Sequence, residues 1–113
     1  MWQDNTGAIR FLSKPDVSAP GVAICAARWG VTTFDGGGDT TCNKDNNHIA
    51  ISGTSMAAPH VAGLAALSVS QGYVGLNGPD GVFAQLKKAA ALLPVLSAQM
   101  QGSGMIDAGK LTR

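Results

Sequence analysis

Gly53-Thr54-Ser55-Met56-Ala57-Ala58-Pro59-His60-Val61-Ala62-Gly63 is the stretch from which the organisation of this chain can be read. It follows a short apolar run, His48-Ile49-Ala50-Ile51-Ser52, with the length of a strand, and it opens the longest helical pattern in the sequence. Gly53 ends the strand. Thr54 or Ser55 can cap the helix, and Pro59 falls in its first turns, where a missing backbone N–H costs least. Further along, Met56, Ala57, Ala58, Val61, Ala62, Leu64, Ala65, Ala66, Leu67 and Val69 leave hardly any face polar. A helix that is apolar all round must be buried all round. A chain of 113 residues has little material to surround such a helix, which therefore reads as the middle of something larger.

Upstream, Lys14-Pro15-Asp16-Val17 and Ala19-Pro20-Gly21 read as an extended segment bounded by a turn, because each proline biases its predecessor toward extended geometry. Val22-Ala23-Ile24-Cys25-Ala26-Ala27 has the character of a short buried strand. A loop rich in Gly, Asp and Asn, residues 35–47, separates it from the strand at His48. Residues 1–13 carry no strong period. Downstream, Gly72–Gly78 is a loop and Pro79-Asp80 opens a second helix. Val82, Phe83, Leu86, Ala89 and Ala90 recur at three- and four-residue spacing, Lys87 and Lys88 lie outside, and Pro94 stops or kinks it. Gly102-Ser103-Gly104 is a turn, and Asp107 caps a last helical turn to Leu111. The order strand, loop, strand, helix, helix, short helix suits part of an α/β layer structure.

Composition narrows the classes. Eight basic and seven acidic residues, all of the latter aspartates, leave a net charge of +1. That balance offers no electrostatic reason for a nucleic acid or an anionic membrane as partner. With 45% hydrophobic residues, 15 glycines and a mean hydropathy of +0.13, the chain reads as loop-rich and globular, of a length for one domain. Its apolar stretches near Val61–Leu67 and Ala89–Leu93 fall short of the ~20 residues that span a bilayer. Met1-Trp2-Gln3-Asp4 lacks a basic lead and no apolar region follows, so no signal peptide is expected in this chain. Either the chain stays inside the cell or its true start lies upstream.

The chemistry concentrates on Ser55. A serine at a strand-to-helix junction lies where the first N–H groups of the helix converge and the local potential is positive. Those amides can stabilise an oxyanion forming on a carbonyl that the same serine attacks. The segment is not the Gly-x-Ser-x-Gly elbow of α/β-hydrolases, because Ala57 occupies the second glycine's place. It closely resembles the nucleophile signature of the subtilisin-like serine proteases, with Ser55 at the catalytic serine's place. Two further stretches extend the resemblance in the family's order. Lys14-Pro15-Asp16-Val17-Ser18-Ala19-Pro20-Gly21 is similar to the segment ahead of the serine, and Gly102-Ser103-Gly104-Met105-Ile106-Asp107-Ala108 to the closing stretch of the catalytic domain.

The resemblance implies an α/β fold built on a mostly parallel sheet with helices on both faces, of which residues 1–113 are an incomplete C-terminal segment. It implies Ser55 as nucleophile, with Gly53, Thr54 and Met56 supporting the turn and the helix packing. It also implies that the catalytic Asp and His and the oxyanion Asn precede Ser55 by long stretches. They would then belong to an upstream half, which becomes the expected partner beside protein or peptide substrates. No cofactor is required for the chemistry, and the chain alone is expected to be inactive and poorly folded.

Local substitutes for the missing groups are weak. His60 lies five positions after Ser55 on the same helix, more than one turn away, and reads as structural. His48 reads as a loop or strand-edge residue, Asp16 as a turn residue and Asp107 as a cap. Cys25 and Cys42 bracket the polar loop. A disulfide between them would contribute about 3 kcal/mol in the chain-entropy model, and secretion, common in the family, would preserve it. The other reading is two unpaired thiols. Asp35, Asp39 and Asp45 invite a structural calcium, as in many family members, yet their spacing fits no EF-hand and a solvated loop is the better reading. The family leans toward a secreted or extracytoplasmic location. Alternatives to the endopeptidase segment are a subunit of a split protease and a non-catalytic remnant or binding module.

Overall fold

The computed structural model describes residues 2–29, 42 and 47–111. Strands β1 (Trp2–Gln3) and β2 (Ile9–Arg10) form an antiparallel hairpin in which Trp2 faces Arg10. Its turn is organised by Asp4, whose carboxylate accepts the N–H groups of Thr6 at 2.9 Å and Ala8 at 3.1 Å and the Arg10 guanidinium at 2.8 Å. The Thr6 hydroxyl foremost, then Arg10, holds the Asp4 carboxyl down to about 2. Two-residue strands are too short for any period to show, which is why residues 1–13 look featureless as sequence.

β3 (Ile24–Ala27) and β4 (His48–Ile51) pair antiparallel, from Ile24 opposite Ile51 to Ala27 opposite His48. β3 begins later than the apolar run suggests because Ala23, at φ 51°, has left strand geometry. The chain is thus mixed α/β, but the expected parallel sheet is not what its own strands make. The described strands form two separate antiparallel pairs, and the parallel contact among them is an isolated bridge between Ser18 and Met105. Parallel neighbours need a crossover, usually helical, returning to a further strand. Here the helix after β4 returns to none.

That helix, α1 (Thr54–Ser70), packs on α2 (Val82–Ala89), which packs in turn on a 3-10 turn, Ala108–Leu111. Leu64, Val82, Leu86, Ala89 and Leu111 form the core, with Val61, Ala65 and Ile106 against it. Only Leu64 and Ser68 of α1 are buried, and the Ser68 hydroxyl is satisfied by the Leu64 carbonyl at 3.0 Å. Leu67 and Val69 stay 51% and 56% exposed. Burial on every face is therefore not achieved within this chain. The exposed surface, 7989 Å², exceeds the roughly 5,800 Å² of a compact monomer of 11.5 kDa. The radius of gyration, 17.3 Å, likewise exceeds the ~13 Å of a compact chain this long. No helix among the described residues is long and apolar enough to cross a membrane.

A polar corner anchors the other end. Ala91 and Met105 exchange backbone hydrogen bonds at 2.7 and 2.8 Å. Ser18 donates to Gly104 at 2.8 Å and accepts from Ile106 at 2.9 Å. The commitment of Ala91 to Met105 ends α2 before Pro94 is reached, and Gly81, not Pro79-Asp80, precedes its first turn. Gly104, at φ 115°, has no room for a side chain: a Cβ there would lie 2.3 Å from the Ala91 carbonyl oxygen. The short helix α3 (Ala98–Gln101) delivers the Gln101 amide into the corner. There it accepts from the Leu93 N–H at 2.7 Å and donates to the carbonyls of Leu93 at 3.0 Å and Leu96 at 2.6 Å. Asp107 caps the last turn as expected, accepting the Gly109 N–H at 3.0 Å.

Candidate active site

Ser55 occupies the first turn of α1, directly after the strand-to-helix turn. Gly53, extended at φ 159° and ψ 167°, stands at the N-cap, and its carbonyl accepts the N–H groups of Met56 at 3.0 Å and Ala57 at 3.3 Å. Its own N–H donates to the Gly21 carbonyl at 2.7 Å. Gly21 is a close-approach glycine, since a Cβ on it would lie 2.8 Å from the Gly53 oxygen and 3.2 Å from the Ala57 methyl. A second bond joins the same two segments: the Ala23 N–H donates to the Ser52 hydroxyl at 2.8 Å. The left-handed backbone of Ala23 costs an alanine about 1–2 kcal/mol. The three stretches singled out in the sequence are thereby one scaffold. Gly102–Ile106 holds the segment from Lys14 to Gly21, and that segment holds the turn before Ser55.

Three groups at the turn remain uncommitted among the described residues. Among the described residues, the Ser55 hydroxyl and the Thr54 and Ser55 amides have no hydrogen-bond partner. Ser55 is exposed at the positive end of α1. Met56 packs beneath the turn, its sulfur 3.7 Å from where a Gly53 Cβ would be, and Thr54 borders a shallow cavity shared with Gly21, Val22 and Ser52. The arrangement offers an oxygen nucleophile and one amide donor for the oxyanion it would create.

Among the described residues, no acid or histidine partners the Ser55 hydroxyl. His60 Nδ1 lies 2.9 Å from the Met56 carbonyl, which can only accept, so Nδ1 carries the proton and the ring folds back along its own helix. His48 stands opposite Ala27 at the start of β4, about 13 Å of extended chain before Ser52. Asp107 is the cap already described. Asp16 is more than the turn residue expected: it pairs with Lys14 and, at 3.1 Å, with Lys87 of α2. The hydrogen bond from Lys14 foremost, then that from Lys87, holds its carboxyl below the usual range.

Cys25 and Cys42 are disulfide-bonded, with Cα atoms 5.7 Å apart. Cys42 is buried, and Cys25 faces Ala50 across the hairpin, so the bond ties Cys42 to β3. The acids considered for calcium, Asp35, Asp39 and Asp45, lie outside the described residues. The roles of Gly21, Ala23 and Ser52 escaped sequence reasoning. They depend on a strand register that only the paired hairpin fixes, although Pro20-Gly21 stood within a stretch already marked as related.

Comparison with known proteins places the chain among the serine peptidases. The model of the Subtilase family matches residues 5–104, and the chain belongs to that family. It is 46% identical over 88 residues to Subtilisin-like protease SBT4.14 of Arabidopsis thaliana, a match covering 75% of this chain and 10% of the relative. It is 47% identical over 62 residues to the CO(2)-response secreted protease of the same plant, covering 55% and 8% respectively. With the Extracellular protease of Xanthomonas campestris pv. campestris it shares 38% identity over 93 residues, 82% of this chain and 14% of the relative. The chain spans about a tenth of the length of the curated relatives it matches.

Proposed function

We propose that residues 1–113 are the C-terminal segment of a subtilisin-like endopeptidase domain and that Ser55 is its nucleophile. The observation that carries this reading is the exposed Ser55 at the N-terminus of α1, its hydroxyl and amide both uncommitted among the described residues. Ser55 Oγ attacks the carbonyl carbon of a peptide bond while its proton passes to a histidine of the upstream half, oriented by an aspartate. The Ser55 N–H, with an upstream asparagine, holds the oxyanion. Collapse of the adduct breaks the C–N bond, and the histidine returns the proton to the departing amine. Water then hydrolyses the acyl ester and restores Ser55.

The bare face of α1 supports completion by an upstream half, which would add the parallel strands of the full domain. The disulfide and the secreted and extracellular relatives support an extracytoplasmic location. The test is hydrolysis of an unfolded protein substrate by the chain joined to its upstream half, with cleaved bonds read by mass spectrometry. Cleavage abolished by Ser55→Ala is expected. Equal cleavage by Ser55→Ala would remove Ser55 as the nucleophile, and no cleavage by the joined wild type would favour a non-catalytic remnant.

A further inference from the structure

The β3–β4 ladder ends at Ile24 opposite Ile51, and the next register pair would be Ala23 opposite Ser52. That pair does not form backbone to backbone. The next backbone bond runs from the Gly53 N–H to the Gly21 carbonyl, so Val22 and Ala23 on one side face Ser52 alone on the other. Two residues against one is the count of a β-bulge, a device that re-aims the chain beside functional sites. Ala23 takes up the extra residue with its left-handed backbone, φ 51°, and its N–H is satisfied by the Ser52 side chain at 2.8 Å. A hydroxyl thus replaces the main-chain acceptor that a regular ladder would supply. The Ser52 backbone is left to turn into Gly53, whose carbonyl caps the helix start that presents Ser55.

We infer that Ser52 is a positioning residue for the Ser55 turn: its hydroxyl, bonded to the Ala23 N–H, holds the bulge that aims the nucleophile. This rests on the proposed role of Ser55. Gly53 is already bonded on both backbone groups, and Gly21 lies too close to move inward. The remaining freedom of the turn is a swing about Ser52, and the Ala23–Ser52 bond stops it. Small displacements of a nucleophile are costly, up to about a hundredfold in rate for roughly 1 Å.

The experiment compares Ser52→Ala, Ser52→Thr and Ala23→Gly in the chain joined to its upstream half, with two readouts. Amide hydrogen exchange follows the Ala23 N–H directly, and peptide hydrolysis per folded molecule gives kcat and KM separately. Ser52→Ala is expected to speed exchange at Ala23 about fivefold or more and to lower kcat about tenfold with KM nearly unchanged. Ser52→Thr, which keeps the hydroxyl, is expected to restore both. Ala23→Gly, which keeps the N–H but frees the backbone of the bulge, is expected to lower kcat less than Ser52→Ala does. An Ala23 amide that exchanges freely in the wild type, or exchanges no faster in Ser52→Ala, would overturn the inference. So would a Ser52→Ala protein that loses thermal stability while its kcat holds. Loss of hydrolysis in the wild type itself would instead count against the role of Ser55, and the exchange readout would still decide the bulge.

Discussion

The corner around Met105 and the outer face of α1 belong to one small chain and differ in almost every physical respect. In the corner, Ser18, Ala91, Gly104 and Met105 satisfy one another's backbones, and a buried glutamine closes three more polar groups. On α1, Leu67 and Val69 face outward and only two of the helix's residues are buried. The corner is finished by local chain; the helix is not. The corner closes its own polar groups while α1 leaves apolar surface bare, which is the contrast expected if, as proposed, an upstream half packs on the helix.

The largest blow to the finished region is Gly104→Ala, whose methyl has nowhere to go beside the Ala91 carbonyl. Unfolding in urea of the chain joined to its upstream half is expected to show a loss of about 4 kcal/mol or more. Gln101→Ala comes next, stranding the Leu93 N–H and the Leu93 and Leu96 carbonyls, with an expected loss of about 2–3 kcal/mol in the same measurement.

The unfinished region responds differently, which sharpens the contrast. Leu67→Glu is expected to change the stability of this chain by less than about 0.5 kcal/mol, since Leu67 already meets solvent. Joined to the upstream half, the same change is expected to cost about 2 kcal/mol or more through burial of an unpaired charge. Equal small effects in both settings would mean that nothing covers α1.

The smallest effect is electrostatic. Asp16 bridges Lys14 and Lys87, so its carboxyl is held below its unfolded value. Its stabilisation is then present above the ordinary carboxylate range, near pH 4, and is lost as pH falls through the depressed folded value. With both lysines about half exposed, solvent screening limits it to no more than about 1 kcal/mol. A pH titration of stability is expected to show this acid-side loss in the wild type and to lack it in Asp16→Asn.

Much of this was legible in the residues themselves. The eleven residues from Gly53 to Gly63 announced the strand-to-helix serine, Gly102-Ser103-Gly104 the tight turn, Asp107 the last cap, and the two cysteines their bond. Those features are local, or close a single loop. The antiparallel pairing of β3 with β4, the ion pairs of Asp16, the clasp made by Gln101 and the bulge at Ser52 were not. The strand pairing, the Asp16–Lys87 pair and the bulge depend on which distant segment lies opposite. The Gln101 clasp, though it reaches back only to Leu93 and Leu96, depends on the path of an irregular loop that no residue pattern encodes. The all-round apolar pattern of α1 pointed to a helix buried on every face, and within this chain only Leu64 and Ser68 of it are buried.

The most direct test is labelling by a fluorophosphonate probe, which bonds only to activated serines, applied to this chain alone, to the chain with its upstream half, and to each with Ser55→Ala. Labelling that needs the upstream half and vanishes with Ser55→Ala is the predicted result. Ser55-dependent labelling of the chain alone would contradict the account, because it would require a base among residues that the structure leaves unpartnered with Ser55.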